Sequence, residues 1–278
     1  SGIWGMTSGD GNKDSEITMQ DKTGVWNVQA GNKGYIEGDY NLDVQVSNPD
    51  KNEKLLPNEG DTSYVADGFY CADSITDVRD GQKYKIVNIG SQCWMAQNLN
   101  IGIMINGDNN QIDNNTIEKY CYDNDGENCD TYGGLYQWDE MMQYVSAEGT
   151  QGICPDGWYL PTDEEWKMLE GAVDSQYDYP NPIWDYYNLW RGYDAGSNIK
   201  STSGWSYGGN GSDQYGFNAL PGGRHSSFFQ YLTTNSSFWS SSENINHSWD
   251  RELSYGNEGV RRRTGVQNYG FSVRCLKN

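Results

Sequence analysis

Six cysteines, two histidines and several tight groups of carboxylates are the residues whose types and spacing carry chemical possibilities in this 278-residue chain. The cysteines are Cys71, Cys93, Cys121, Cys129, Cys154 and Cys275. Their even number, the lack of any Cys-x-x-Cys pair and the distance of both histidines from them in sequence favour disulfides in an oxidising compartment over a zinc site. Spacing alone leaves every pairing open. His225 and His247 sit in Ser- and Asn-rich stretches without a Gly-x-Ser-x-Gly turn, so nucleophile–base catalysis is not expected. No Gly-rich phosphate loop with a following lysine is present, and the chain reads as a protein that is not an enzyme.

The carboxylate groups have structural explanations. Asp163, Glu164 and Glu165 open a helical pattern, where negative charge suits the positive end of the helix dipole. The stretches 107–115 and 122–130 are rich in Asn and Asp and offer oxygen ligands of the kind calcium takes, but neither runs through EF-hand spacing to a closing glutamate. They read as solvated loops; no cofactor is expected, and structural calcium has no pattern behind it.

A net charge of −20 repels phosphate backbones and anionic lipid, which argues against nucleic acid as a partner. No run approaches the roughly 18 apolar residues of a membrane span, so direct membrane insertion is not expected. The Ser1-Gly2 start, without a basic-then-apolar leader, reads as a mature ectodomain or a trimmed piece of a longer chain. Twenty-one tyrosines, 11 tryptophans and 34 glycines suggest a loop-rich fold on aromatic anchors rather than disorder.

The elements that must position these residues follow from periodicity. Residues 1–66 read as a small β-rich extension, with a half-buried strand at Tyr40–Val46 and a linker or long surface loop over 47–60. In 76–90, Asp80-Gly81 between two extended runs predicts a hairpin. Over 133–145, Leu135, Trp138, Met141, Met142 and Val145 fall at helical spacing and predict an amphipathic helix. A second helix follows Leu160-Pro161, with Thr162 and Glu165 as a capping box and Trp166, Leu169 and Val173 as the apolar stripe. Beyond residue 200 the pattern is short strands and glycine turns, so the class is α+β.

The C-terminal strands carry an unusual charge pattern. Residues 251–278 hold six basic residues (Arg251, Arg261, Arg262, Arg263, Arg274, Lys277) against Glu252 and Glu258, a local net of +4. Gathered on one surface they would attract an acidic partner; paired with carboxylates elsewhere they would not. Strand parity sends Trp249, Arg251, Leu253 and Tyr255 one way and Asp250, Glu252 and Ser254 the other, the second set facing out. Across the Gly256–Gly259 turn, Val260 and Arg262 share one side and Arg261 and Arg263 the other. In the last run Phe271, Val273 and Cys275 share a face opposite Ser272 and Arg274.

Seven blocks of this sequence resemble the FISUMP family, the Fibrobacter succinogenes major paralogous domain. They are DGQKYKIVNIGSQCWMAQNLN (80–100), KYCYDNDGENCDTYGGLYQWDEMM (119–142), CPDGWYLPTDEEW (154–166), KSTSGW (200–205), YGFNALPGG (215–223), FWSSSE (238–243) and YGFSVRC (269–275). The resemblance covers 67–278 and implies a C-type lectin-like fold: two helices, a twisted antiparallel sheet and a long loop-rich excursion. It implies pairing of Cys154 with Cys275, Cys71 with Cys93 and Cys121 with Cys129. The first would close a loop of about 120 residues, worth about 4–5 kcal/mol in the chain-entropy model. The calcium-ligating triplets of sugar-binding lectins are absent, so calcium-mediated carbohydrate binding is not carried over.

The family includes targets of diversity-generating retroelements, which rewrite adenines near the end of a gene. The resemblance therefore implies an extracellular or cell-surface receptor or adhesin, displaying a variable C-terminal surface to an unknown protein or glycan. The face expected to bind comprises His225, Ser226, Phe228 and Tyr231; Asn244, Asn246 and His247; Asp250, Glu252 and Ser254; and Asn257, Glu258, Arg261 and Arg263. Aromatic anchors, adaptable Ser and Asn, and Arg are the residue types of a paratope. Trp94, Trp158, Trp239, Trp249, Phe271 and Val273 are expected in the core. The competing readings are an enzyme like the formylglycine-generating proteins, which needs a reduced cysteine pair, and a structural surface or fibre-tip module without a discrete ligand.

Overall fold

The computed structural model describes residues 71–277. The expected extension over 1–66, with its Tyr40–Val46 strand and 47–60 linker, lies outside the described residues.

Alternation builds the first hairpin. In β2 (Lys83–Ile89) Tyr84, Ile86 and Ile89 turn inward, and the strand pairs antiparallel with β1 (Ser74–Thr76) through Thr76 opposite Lys83. The connection is longer than a two-residue turn: it spans 77–82, with Gly81 at φ +79° and its N–H donating to the Asp77 carbonyl. The Asp77 carboxylate also accepts from the backbone and side chain of Arg79, fixing the loop from within. Next come β3 (Gln92–Met95) and the short parallel pair β4 (Ile103–Met104) and β5 (Glu118–Lys119). Helix α1 (Gly126–Tyr132) starts on Asp125, whose side chain accepts from the Glu127 N–H.

The helix predicted over 133–145 is reduced to one turn, α2 (Trp138–Met141). Leu135 and Tyr136 are extended, bridged to Tyr120 and Phe271, and Gln143 and Tyr144 adopt positive φ. The apolar spacing arose because Leu135 is buried from a bridge while Trp138, Met141 and Met142 are buried from the turn; Val145 is exposed.

After β6 (Trp158–Tyr159), the predicted second helix is present as α3 (Asp163–Val173). Thr162 Oγ1 accepts from the Glu165 N–H at 3.2 Å and the Glu165 carboxylate accepts from the Thr162 N–H at 2.8 Å, the reciprocal capping box. Trp166, Leu169 and Val173 are buried. The chain continues through β7 (Trp190–Arg191), α4 (Ala195–Ile199), β8 (Gly222–His225), β9 (Phe229–Leu232), β10 (Asn235–Glu243), β11 (Ser248–Ser254), β12 (Val260–Gly265) and β13 (Leu276–Lys277).

Two main sheets result, in the orders β1-β2-β3-β13-β6 and β7-β12-β11-β10-β8-β9. Most ladders are antiparallel, with β8–β10 and β4–β5 parallel, and helices are few and short: an α+β arrangement. Two apolar clusters hold it together. One gathers Met95, Leu99, Tyr136, Trp138, Trp239 and Phe271. The other lies under α3, where Trp94 and Trp166 stand 4.9 Å apart amid Phe217, Phe238 and Leu253.

All three implied disulfides are present: Cys71–Cys93, Cys121–Cys129 and Cys154–Cys275, the last spanning 121 positions. The buried Cys275 of the final run thus has its partner at the mouth of β6. The run itself is ladder-paired only at Leu276–Lys277, with bridges at Gly270, Phe271 and Ser272. Its second face is buried too. Arg274 donates to the carbonyls of Met95 (2.8 Å) and Phe217 (2.7 Å) and to Asn98 Oδ1 (2.6 Å), its guanidinium 4.4 Å from the Phe217 ring centroid.

Candidate ligand-binding surface

The six-stranded sheet positions the C-terminal residues expected to face a ligand. Its β11–β12 hairpin pairs Asp250 with Arg263, Arg251 with Arg262 and Glu252 with Arg261, so the two parities inferred from sequence occupy opposite faces. The face toward α3 carries a buried charge network. Arg251 Nη1 meets Asp163 Oδ1 at 2.8 Å and its Nε meets Glu170. Arg262 grips both oxygens of Asp163 at 2.6–3.1 Å, and Arg191 meets Glu170 at 2.5 Å. Burial pushes the Asp163 carboxyl up, but Arg251 and Arg262 outweigh it and hold the group well below the usual carboxylate range.

The opposite face carries a second ladder. Arg263 Nε donates to Asp250 at 2.7 Å and its Nη2 to Ser237 Oγ at 3.0 Å; Glu252 takes Arg261 at 3.2 Å, Arg263 at 3.1 Å and the Asn235 amide at 2.9 Å. Arg261 also reaches Asn188 Oδ1 at 2.7 Å. Burial pushes the Asp250 carboxyl up, offset in part by Arg263. The pairing alternative is therefore the one realised: Arg251, Arg261, Arg262 and Arg263 neutralise internal carboxylates rather than forming a basic surface.

Three of the residues expected to face outward are buried. Asp250 is 0 % exposed, because the returning segment 266–272 and Trp138 lie at that end of the sheet, and Glu252 is 5 % exposed under the side chains of Asn235, Arg261 and Arg263 that bond it. Trp138 N–H donates to the Gln267 carbonyl, Trp239 opposite Asp250 stacks on Phe271 at 4.2 Å, and Gln267 donates to Ser248 Oγ. His225 is 4 % exposed, packed between Tyr120 and Phe229, and burial pulls its imidazole below the ordinary value. Parity shows which side of a strand a residue takes; it does not show whether another segment covers that side. Conversely Trp249, expected in the core, is only half-buried, with the Arg262 guanidinium 3.4 Å over its ring and Tyr187 edge-on at 5.6 Å. Trp94, Trp158, Trp239, Phe271 and Val273 lie in the core as expected.

The remaining expected residues lie at the surface. Phe228 and Tyr231 are exposed at the β8–β9 hairpin, Asn246 in the turn before β11 and Glu258 in the turn before β12; Ser226, Asn244, His247, Ser254, Asn257, Arg261 and Arg263 are partly exposed. Gly223 sets the hairpin: it has φ +67°, and a Cβ there would lie 2.5 Å from the Gln230 carbonyl oxygen. Among the described residues the side chains of Phe228, Asn244 and Asn246 make no hydrogen bond. The outer strands therefore spend their polar groups internally, and Asn257 and His247 bond within their own turns, while the Asn244 and Asn246 amides are left to solvent or a ligand.

Between these turns lies an open depression of about 370 Å³, whose walls include Tyr187, Arg224, His247, Arg263, Val266 and Tyr269. Only His247 and Arg263 of these were expected from sequence to bind. Arg224 directly follows the 215–223 block, Tyr187 lies in the aromatic run 186–193, Val266 precedes the 269–275 block and Tyr269 opens it; none carries a local signal of a site, because the chain brings them together over long separations.

The model of the Fibrobacter succinogenes major domain family matches residues 87–277, which contain every element from β3 onward. No curated protein and no solved structure matches the chain.

Proposed function

Because the chain belongs to the Fibrobacter succinogenes major domain family, we propose that it is an extracellular, surface-displayed binding protein of receptor or adhesin type, its ligand face formed by the turns around the six-stranded sheet. The observation that carries this reading is the division of labour on that sheet. Charged strand residues are consumed in two internal ladders, whereas Phe228 and Tyr231 are exposed on the β8–β9 hairpin and the side chains of Asn244 and Asn246, before β11, make no hydrogen bond among the described residues. Exposed aromatics beside adaptable amides on a fixed frame are the ingredients of a recognition surface.

Three disulfides support an oxidising, extracellular setting. They also favour binding over an enzyme of the formylglycine-generating kind, since that chemistry needs a reduced cysteine pair and the structure has no free cysteine. The frame, with its helix α3 against twisted antiparallel strands, is read as C-type lectin-like. Retroelement-driven diversification belongs to the same reading: the turn residues are the ones a rewritten gene end could vary at little cost.

Probing protein and glycan arrays with the whole chain tests the binding reading; a reproducible hit supports it, and silence across both favours a structural module. Sequencing the gene from sibling strains tests diversification. Substitutions concentrated at Ser226, Phe228, Tyr231, Asn244, Asn246 and His247 support it, and substitutions scattered through the frame overturn it.

A further inference from the structure

The geometry points to Arg224 as the anchor for a carboxylate in the depression beside it, and to an acidic side chain followed by an aromatic one, on a protein partner, as the group that fits there. This rests on the reading of the sheet's outer face as a ligand surface.

Arg224 differs from its neighbours in how its charge is met. Arg261 and Arg263, on the same side, are each within 3.2 Å of a carboxylate. Arg224 has no ion pair among the described residues. Its guanidinium lies 4.8 Å from the Tyr231 ring centroid and reaches only Gln230 Oε1, at 3.3 and 3.4 Å. Those are long contacts to a neutral acceptor, so most of its donor capacity is unspent. In a chain of net charge −20, a partly exposed arginine without a carboxylate among the described residues is a local exception, and the complementary ligand group is a carboxylate, which arginine holds through paired N–H donors.

The rest of the depression selects what the carboxylate is attached to. Tyr187, Val266, Tyr269 and Phe271 line it beside His247 and Thr264, Val266 being 39 % exposed. With Arg263 already paired to Asp250, the aromatic rings and Val266 around the unpaired Arg224 suit a peptide's ring next to its acid, as in the core of a protein interface.

The whole chain titrated with acetyl-Glu-Phe-amide, acetyl-Gln-Phe-amide and N-acetylneuraminic acid, followed by NMR at Val266 and Tyr269, tests this. The Glu peptide is expected to bind at least about tenfold more tightly than the Gln peptide, a difference of one charge-assisted contact. Arg224→Gln should abolish that difference while moving the urea midpoint little, since Arg224 makes only long contacts to Gln230 and a ring contact to Tyr231. Equal binding of the two peptides, binding of neither, or preference for the acidic sugar through Arg224 would overturn the proposal. An array ligand that needs Tyr231 but ignores Arg224→Gln would remove this inference and leave the binding reading standing. Silent arrays with an Arg224-dependent Glu peptide would do the reverse.

Discussion

Asp163, the first residue of helix α3, and Arg262, on strand β12, form a two-pronged ion pair across 99 positions of sequence, with contacts of 2.6–3.1 Å. One carboxylate at a helix N-terminus thereby clamps two adjacent strands, since Arg251 reaches it from β11 at 2.8 Å. The arginines cannot lose their charge, so removing the carboxylate strands them inside the protein.

Asp163→Ala should therefore cost about 3 kcal/mol or more in urea unfolding. An equal replacement at exposed Asn246 should stay within about 0.5 kcal/mol. Similar values at the two sites would mean that the network does not hold the sheet to the helix.

The same pair fixes the sign of an acid effect. The Asp163 carboxyl is held below its ordinary value in the folded protein, so its contribution is fully present above the unfolded value, about pH 4, and is lost as pH falls below that. Asp250 runs the other way: burial raises its carboxyl, so the folded protein keeps that proton to higher pH and is penalised once the group ionises. Urea midpoints measured from pH 6 down to pH 2 should fall below about pH 4, and Asp163→Asn should flatten that fall from a lower starting point. A wild-type midpoint constant throughout would contradict the assignment.

The disulfides should rank by the loop they close. Cys154→Ala with Cys275→Ala removes a bridge across 121 positions and should cost about 5 kcal/mol in the chain-entropy model, against about 2.5 kcal/mol for Cys121→Ala with Cys129→Ala across 8. Denaturant unfolding of the two double variants checks the order; the reverse order would show that native contacts rather than loop length set their worth.

At the β8–β9 hairpin, Gly223→Ala meets both a positive φ of +67° and a carbonyl oxygen 2.5 Å from the new Cβ. A loss of about 1–3 kcal/mol is expected, with altered NMR shifts at Tyr231 and Arg224, which the hairpin carries. An unchanged spectrum would separate that glycine from the surface.

Local signals were legible in the sequence and layered ones were not. Helix α3 could be read because Thr162, Glu165 and the Trp166–Leu169–Val173 stripe lie within a few turns of one another. The hairpin parities of β11 and β12 could be read because side chains alternate on any strand. The disulfide pairing came from resemblance, since spacing left it open. The long helix at 133–145 was misread because Leu135 and Trp138 are buried by different elements at coincidentally helical spacing. Asp250 and His225 were misread as outward because their covers, the 266–272 return and the Tyr120 and Phe229 rings, come from other parts of the chain, and Glu252 because Asn235, Arg261 and Arg263 close over it. Trp249 was misread as core because a large ring satisfied by an arginine on its outer face has the same parity as one packed inside. The depression at Arg224 gives no local pattern at all, being assembled from segments 186–193, 222–225 and 244–269.

The most direct measurement is the affinity of an array-identified ligand for the whole chain against a Phe228→Ala, Tyr231→Ala, Asn246→Ala variant, with urea midpoints taken alongside. The expected result is a loss of binding of at least about a hundredfold with midpoints that agree within about 1 kcal/mol. Undiminished binding by a variant that keeps its stability would place the ligand elsewhere and contradict the assignment of function to this surface.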